Sequence, residues 1–268
     1  MENVTNNNQI QELKDNKIIG NPTLANSNIK FIGINNILYC ENDVNLVNCD
    51  IQFKGNNSLI YLSRNENNYS INIHVFQDCT VYIGRDNTMA QPISINIQEH
   101  QNLIIGDDCI ISSGTIFRTS DAYLIYDTIS KKRINDSRSI FIGDHVWIGH
   151  QTFISKGSKI GSGAILDNNT YVPSNYSLKS NAIFAGNPAQ LIKDNVFFTK
   201  DYNGGFKAED TLNSENYNSR IYIYGPQLKE TLDLITIDKI ISELRIDERI
   251  DFIQKLFVRN KLHDRFSV

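Results

Sequence analysis

The chain has 268 residues, with 26 Lys and Arg against 30 Asp and Glu and a net charge of −4. No basic run exceeds Lys131-Lys132-Arg133, which argues against a nucleic-acid backbone as partner. No apolar run approaches the roughly 20 residues of a membrane span, and Met1 to Ile10 is polar and Asn-rich rather than signal-like, so a soluble, cytoplasmic protein is expected.

Residues 1–29 are polar and read as an N-terminal cap or a partly disordered lead-in. From Phe31 a loose repeat emerges. Asn36-Ile37-Leu38, Ser58-Leu59-Ile60-Tyr61-Leu62, Thr80-Val81-Tyr82-Ile83-Gly84 and Asn102-Leu103-Ile104-Ile105-Gly106 look equivalent, with Leu62, Ile83 and Ile105 spaced by 21 and 22 residues. Between them run period-two segments, Ile71 to Val75 and Ile93 to Ile97, which read as strands. Cys40, Cys49, Cys79 and Cys109 lack CxxC spacing and are expected as buried reduced thiols rather than disulfides or zinc ligands.

Ile105, Ile111 and Phe117 fall into six-residue step before an interruption at 118–138. A loop of that length inside a tight repeat is more often functional than structural. The repeat then runs from Ile142 to Ala189. Its blocks of six open with Ile142, Ile148, Ile154, Ile160, Leu166, Val172, Leu178 and Phe184, a series that 40% hydrophobic content would produce by chance roughly once per thousand registers. The fifth position is small or β-branched (Val146, Thr152, Ser158, Ala164, Thr170, Ala182), with Tyr176 the exception. A period of six fits neither a helix nor a plain strand; it fits a β-solenoid that turns a corner every six residues, with the openers pointing inward. The abundant Asn suits such corners, because Asn tolerates left-handed backbone.

Beyond the repeat, residues 199–225 read as an irregular link with one short strand at Ile221-Tyr222-Ile223-Tyr224. Ile237, Ile240, Ile241 and Leu244, then Ile250, Ile253, Leu256 and Phe257, have helical spacing. They predict two short helices, the first from Thr236 and the second starting near Asp247 as N-cap. The expected organisation is a cap (1–29), a β-solenoid (30–198) and a helical extension (199–268), the last acting as a cap or trimer brace, or else docking an acceptor or partner.

The hexads, with Ile142-Gly143-Asp144-His145-Val146-Trp147-Ile148-Gly149 and the closing Ala185-Gly186-Asn187-Pro188-Ala189, resemble the hexapeptide-repeat acyltransferases. This resemblance implies a left-handed parallel β-helix, an all-β solenoid with a protruding loop, that assembles as a homotrimer with active sites between subunits. Over roughly 55–195, the segment Arg118-Thr119-Ser120-Asp121-Ala122-Tyr123-Leu124-Ile125-Tyr126-Asp127, with Arg133-Ile134-Asn135 and the Trp147 corner, is similar to bacterial capsular polysaccharide and sialic acid O-acetyltransferases. The implied activity is acetyl transfer from acetyl-CoA to a sugar hydroxyl of a surface polysaccharide, sialic acid being the best single acceptor. It would take place in the bacterial cytoplasm, beside the capsule-assembly machinery, with no metal.

In that family a histidine in the loop after Ser-Asp-x is the general base, a role suited to a side chain that titrates near neutrality. The matching position here is Tyr123. A tyrosine of ordinary pKa is ionised to about one part in a thousand at pH 7. Three readings follow: an inactive or impaired homologue that still trimerises and binds CoA or glycan; a base supplied by His145 or His150; or a Tyr123 activated by a cation from a neighbouring subunit. His145 has a bland alternative at the surface or bonded to backbone, and His74, His100 and His263 lie outside the motif. The resemblance places Trp147 against pantetheine and acceptor, and Asp121 beside a ring donor or the acceptor's hydroxyls. It assigns the cofactor edge to His150, Asn168, Pro173 and Ser174, with Lys193 meeting phosphates as a point charge and a backbone amide near Trp147 stabilising the oxyanion. A nucleotide-sugar N-acetyltransferase would call for a glycine-rich Rossmann-like turn, and none is visible. A carbonic anhydrase-like site would call for three histidines on adjacent coils, whereas His145 and His150 share one.

Overall fold

The computed structural model describes residues 1–90, 92–225 and 231–267. The chain winds as a three-faced β-solenoid of about eight turns. One coil reads Ile140–Ile142 on a first face, Trp147–Ile148 on a second and Phe153–Ile154 on a third. The next coil stacks Lys159–Ile160, Ile165–Leu166 and Tyr171–Val172 directly upon them in parallel register. The first and third faces each carry eight strands, and the second face is split into sheets of two and six.

The openers do what the period requires. Ile142, Ile148, Ile154 and Val172 are fully buried, with Ile160, Leu166, Leu178 and Phe184 nearly so, and the small fifth-position residues Val146, Thr152, Ser158, Ala164 and Ala182 fill the inside of the corners. Stacked coils leave no room for larger groups there: a Cβ on Gly143 would stand 2.5 Å from the backbone nitrogen of Ser162. Twelve of the eighteen non-glycine residues with positive φ among those described are Asn or Asp, the residues that reach left-handed backbone most cheaply. They also tie coil to coil. Along one edge Asn35 Nδ2 donates to Asn57 Oδ1 (2.7 Å), Asn57 Nδ2 to Asp78 Oδ1 (2.9 Å), and His100 Nδ1 lies 3.1 Å from Asp78. All four cysteines are buried free thiols.

Three boundaries differ from the sequence reading. The first coil begins at Lys17–Ile19, inside the segment expected as a cap, because Asn16 bridges Asn36 and Gly33 and seats that strand. Only Glu2–Val4, antiparallel to Asn28–Phe31, and the turn Asn7–Glu12 precede the stack. The helices start at Leu234 and Ile246 rather than Thr236 and Asp247. Asp233 caps the first through Ile235 and Thr236 nitrogens, and Glu248 accepts the Arg245 amide at the second. Ile221 to Tyr224 is a turn, not a strand, since Asn181 takes its polar groups by donating to Tyr222 O and accepting from Tyr224 N.

A further short helix, α1 (Ala208–Asn213), is exposed. The helices α2 (Leu234–Glu243) and α3 (Ile246–Ile253), with the turn Gln254–Val258, close the first face. Ile237, Ile241, Ile253 and Phe257 pack on its outward residues Leu59, Tyr61, Tyr82, Ile104 and Phe141. Among the described residues no helix is long and apolar enough to cross a membrane.

Candidate functional site

Loop 118–138 leaves the solenoid at the corner between the third and first faces, since the third-face strand Ile116–Arg118 precedes it and the first-face strand Ile140–Ile142 follows. Its middle is a small hairpin bridged at Tyr126 and Arg133, with Ile134 N donating to Ile125 O. Two clamps hold its feet. Arg133 grips Glu99 with Nη1 and Nη2 at 2.6 and 2.7 Å, and Ser137 Oγ adds a bond to the same carboxylate. Those bonds hold the Glu99 carboxyl down at about 2. Lys156, nearly buried, donates to Asp121 Oδ2 at 2.5 Å and to Asn135 O at 3.1 Å, while Asn135 Nδ2 donates to Asp121 and to Tyr123 O.

Asp121 is therefore a hub of the loop's geometry. Burial pushes its carboxyl up, but the bonds from Lys156 and Asn135 outweigh burial and hold it below the usual range. Tyr123 projects past this hub with 85% of its surface exposed, and Leu124, Ile125, Tyr126, Ile129 and Ile134 are exposed with it.

His145 occupies the corner between first and second faces and is enclosed. Its ring lies between Phe198 and Tyr222, with centroids 4.0 and 4.1 Å away and planes within 8°. Nδ1 is 2.7 Å from Asp108 Oδ2 and Nε2 3.0 Å from Phe198 O. Lys200 bonds the other oxygen of Asp108 at 2.5 Å. Burial raises the Asp108 carboxyl, and the partners His145 and Lys200 bring it below its ordinary value. Both ring nitrogens of His145 are engaged and the side chain is 1% exposed; of the bland alternatives the bond to backbone holds, through Phe198 O, whereas a surface position and a free base do not.

Trp147, 41% exposed, projects from the second face with its indole 5.7 Å from Phe198. Register builds a straight row across that face: Ile110 pairs with Trp147, Trp147 with Ile165, Ile165 with Ile183, and Ile183 with Lys193 on the antiparallel strand Gln190–Asp194. The row is an apolar strip ending in a cation, with three strand spacings, about 14 Å, from Trp147 to Lys193.

His150 and Asn168 border this row at the corner between second and third faces, where His150 N donates to Asn168 Oδ1 at 2.7 Å. His150 is exposed, and its Nδ1 lies 2.8 Å from Ser113 Oγ. Pro173 and Ser174, expected on the same edge, instead follow the third-face strand Tyr171–Val172 and lie at the loop's corner, because successive hexads turn successive corners.

The site residues therefore form two groups in one chain. Asp121, Tyr123, Pro173 and Ser174 lie at the loop's corner; Trp147, His150, Asn168 and Lys193 lie on the face opposite that corner and at its border. Asn135 falls within the Arg133-Ile134-Asn135 segment that carries the resemblance, but Lys156, which fixes the loop with it, and Phe198 and Tyr222, which enclose His145, carry no sequence signal. Those three stand 35, 53 and 77 positions from the residues they serve, at spacings unrelated to the repeat.

No family model matches the chain. It is 34% identical over 120 residues to the polysialic acid O-acetyltransferase of Escherichia coli O1:K1 / APEC, a match covering 45% of this chain and 38% of that protein. It is 30% identical over 140 residues to the polysialic acid O-acetyltransferase of Neisseria meningitidis, covering 52% and 65%. The chain thus spans less than two thirds of the curated relatives it matches. The crystal structure of the polysialic acid-specific acetyltransferase NeuO superposes with a TM-score of 0.63 at 29% identity, over 74% of this chain and 95% of that one. In sequence and in fold the chain is similar to polysialic acid O-acetyltransferases, whose solenoids are left-handed β-helices.

Proposed function

We propose that the protein transfers an acetyl group from acetyl-CoA to a hydroxyl of a sialic acid polysaccharide, at sites shared between the subunits of a homotrimer. The carrying observation is the separation of the loop corner from the Trp147 row. The two groups of candidate residues face away from each other in one chain, and a neighbouring copy brings them together.

The surfaces support that arrangement. The first face is closed by the chain's own helices. The second face keeps an outward apolar row, Ile110, Trp147, Ile165 and Ile183. The loop is an arm of bare apolar side chains, Ile129 being 91% exposed. A cyclic assembly covers all of these at once.

The residues present fit acetyl-CoA. The apolar strip from Trp147 to Ile183 suits an extended pantetheine arm, and Lys193 at its end suits a phosphate. We assign proton removal to His150. With Nδ1–H turned to Ser113 Oγ, Nε2 presents a lone pair at the border of that strip. His150 would take the proton from the acceptor hydroxyl as its oxygen attacks the thioester carbonyl, and return it to the departing thiolate. Asp121, held ionised by Lys156, positions the arm that carries Tyr123.

The test is radiolabel transfer from acetyl-CoA to polysialic acid. His150→Ala is expected to abolish turnover, while Tyr123→Phe retains it and Tyr123→His raises it. Loss of turnover in Tyr123→Phe with a fully active His150→Ala would move the base to tyrosine. No transfer to polysialic acid by wild type or Tyr123→His would sink the reading.

A further inference from the structure

The foot of the loop encloses a cavity of about 260 Å³ lined by Arg118, Ser120, Asp121, Phe153, Ser155, Lys156 and Tyr171. Its construction follows from strand register. Phe117 points into the core, so Ile116 and Arg118 point outward. Ile116 pairs with Phe153 and Phe153 with Tyr171, and the next step along the third face sets Arg118 opposite Ser155. The floor is aromatic, with the Phe153 and Tyr171 rings 5.8 Å apart and tilted by 55°. The walls bring two hydroxyls and three charges.

Those charges do not cancel. Lys156 is committed to Asp121 and to the Asn135 carbonyl. Arg118 forms no ion pair among the described residues, and its influence on Asp121 comes after that of Lys156 and Asn135. A partly buried arginine whose guanidinium donors are unused among the described residues, lining one cavity with two aromatic rings and two serines, suits a planar anion carried on a sugar ring. The floor takes the ring's apolar face, the hydroxyls take its polar edge, and the guanidinium fork takes a carboxylate in bidentate fashion.

We infer that Arg118 is a specificity-determining residue that holds the carboxylate of a sugar-acid acceptor in this cavity, selecting anionic over neutral polysaccharides. The inference deepens the proposed acetyl transfer, which places the chemistry beside the same loop. The commonest alternative for a partly exposed arginine, a solvated charge with no ligand, leaves the aromatic rings and the two serines of the lining without a reason to converge on it.

The experiment is isothermal titration of a short soluble polysialic acid oligomer, and of the same oligomer with its carboxyls reduced to alcohols. Each is titrated into the full-length wild type, Arg118→Gln and Arg118→Lys. Losing a charge-assisted bidentate contact should weaken the anionic oligomer roughly ten- to a hundredfold in Arg118→Gln, with Arg118→Lys losing less. The reduced oligomer should bind the wild type weakly and be indifferent to the substitution. Equal affinity of wild type and Arg118→Gln for the anionic oligomer would overturn the inference, as would equal losses for both oligomers or no binding by the wild type. Binding is read without turnover, so Arg118-dependent binding in a protein that transfers no acetyl group would sink the proposed activity and leave this inference standing.

Discussion

The guanidinium of Arg265 clasps the carboxylate of Asp144, Nε to Oδ2 and Nη2 to Oδ1 both at 2.7 Å, and so ties the end of the chain to a solenoid corner more than a hundred residues earlier. Nη1 is taken by the carbonyls of Phe257 and Asn260 (2.5 and 2.7 Å), and Asp107 Oδ2 lies 3.0 Å from Nη2. Arg265 is 2% exposed. Breaking one side of such a buried pair leaves an uncompensated charge, so Arg265→Met should cost about 3–5 kcal/mol. Thermal unfolding should register it as a fall in Tm of about 10 °C. The double variant Arg265→Met/Asp144→Leu should recover part of the loss. A single-variant shift no larger than that of an exposed ion pair would show that the C-terminus is not secured here.

Acid should release the loop. The folded Glu99 carboxyl sits at about 2, held chiefly by Arg133 and Ser137, against 4.5 for the free side chain. A carboxyl depressed on folding contributes stability that is complete above the free value and is lost as pH falls from about 4.5 towards 2. Amide exchange across 123–134, corrected for intrinsic rates, should therefore rise in that window. Glu99→Gln should show the faster exchange already at pH 7. A pH-independent exchange profile would mean that other contacts hold the arm.

The stack around His145 should be visible in the fluorescence of Trp147, the single tryptophan. Phe198 lies between the imidazole and the indole. His145→Ala removes the ring that seats Phe198 together with its bonds to Asp108 and Phe198 O, so the indole should gain water contact and its emission shift to longer wavelength. Phe198→Ala should do the same, and the segment around Tyr222 should become more open to protease in His145→Ala. Unchanged emission in both variants would show that the indole is seated independently.

The row from Trp147 to Lys193 makes a graded prediction for CoA affinity. Trp147→Ala removes the proposed partner of the pantetheine and should weaken CoA roughly ten- to a hundredfold by calorimetry. Lys193→Ala removes an exposed point charge and should weaken it no more than about fivefold, an effect that fades as salt rises. A larger loss for Lys193→Ala than for Trp147→Ala would place the cofactor elsewhere.

The proposed sharing of sites between subunits predicts complementation. Trp147→Ala and Asp121→Asn damage opposite halves, so each homo-oligomer should lose most of its acetyl transfer. Co-expressed chains should regain a fraction of it, because mixed trimers contain sites built from two intact halves. Co-expression that restores nothing would favour a site complete within one chain. Leu124→Glu or Ile129→Glu, which put a charge on the bare arm, should shift sedimentation from the proposed trimer towards monomer.

Sequence by itself determined the solenoid. Ile142 to Phe184 at six-residue spacing can be buried together only if the chain turns at each interval, and Asn and Asp at the corners supply the backbone those turns need. Period is a local property and survives without coordinates, which is why the eight openers, the small corner residues and the interrupting loop were all legible. What lay outside the period was decided by tertiary structure. The ring of His145 could have faced solvent, and Phe198 and Tyr222, far along the chain, made it a buried brace. Pro173 and Ser174 fell on a different edge from His150 because a six-residue step is also a turn of the prism. Tyr123 and Trp147, neighbours in motif and 24 positions apart, stand on opposite sides of one subunit, since a coil's corner and the face across from it cannot meet within the same triangle.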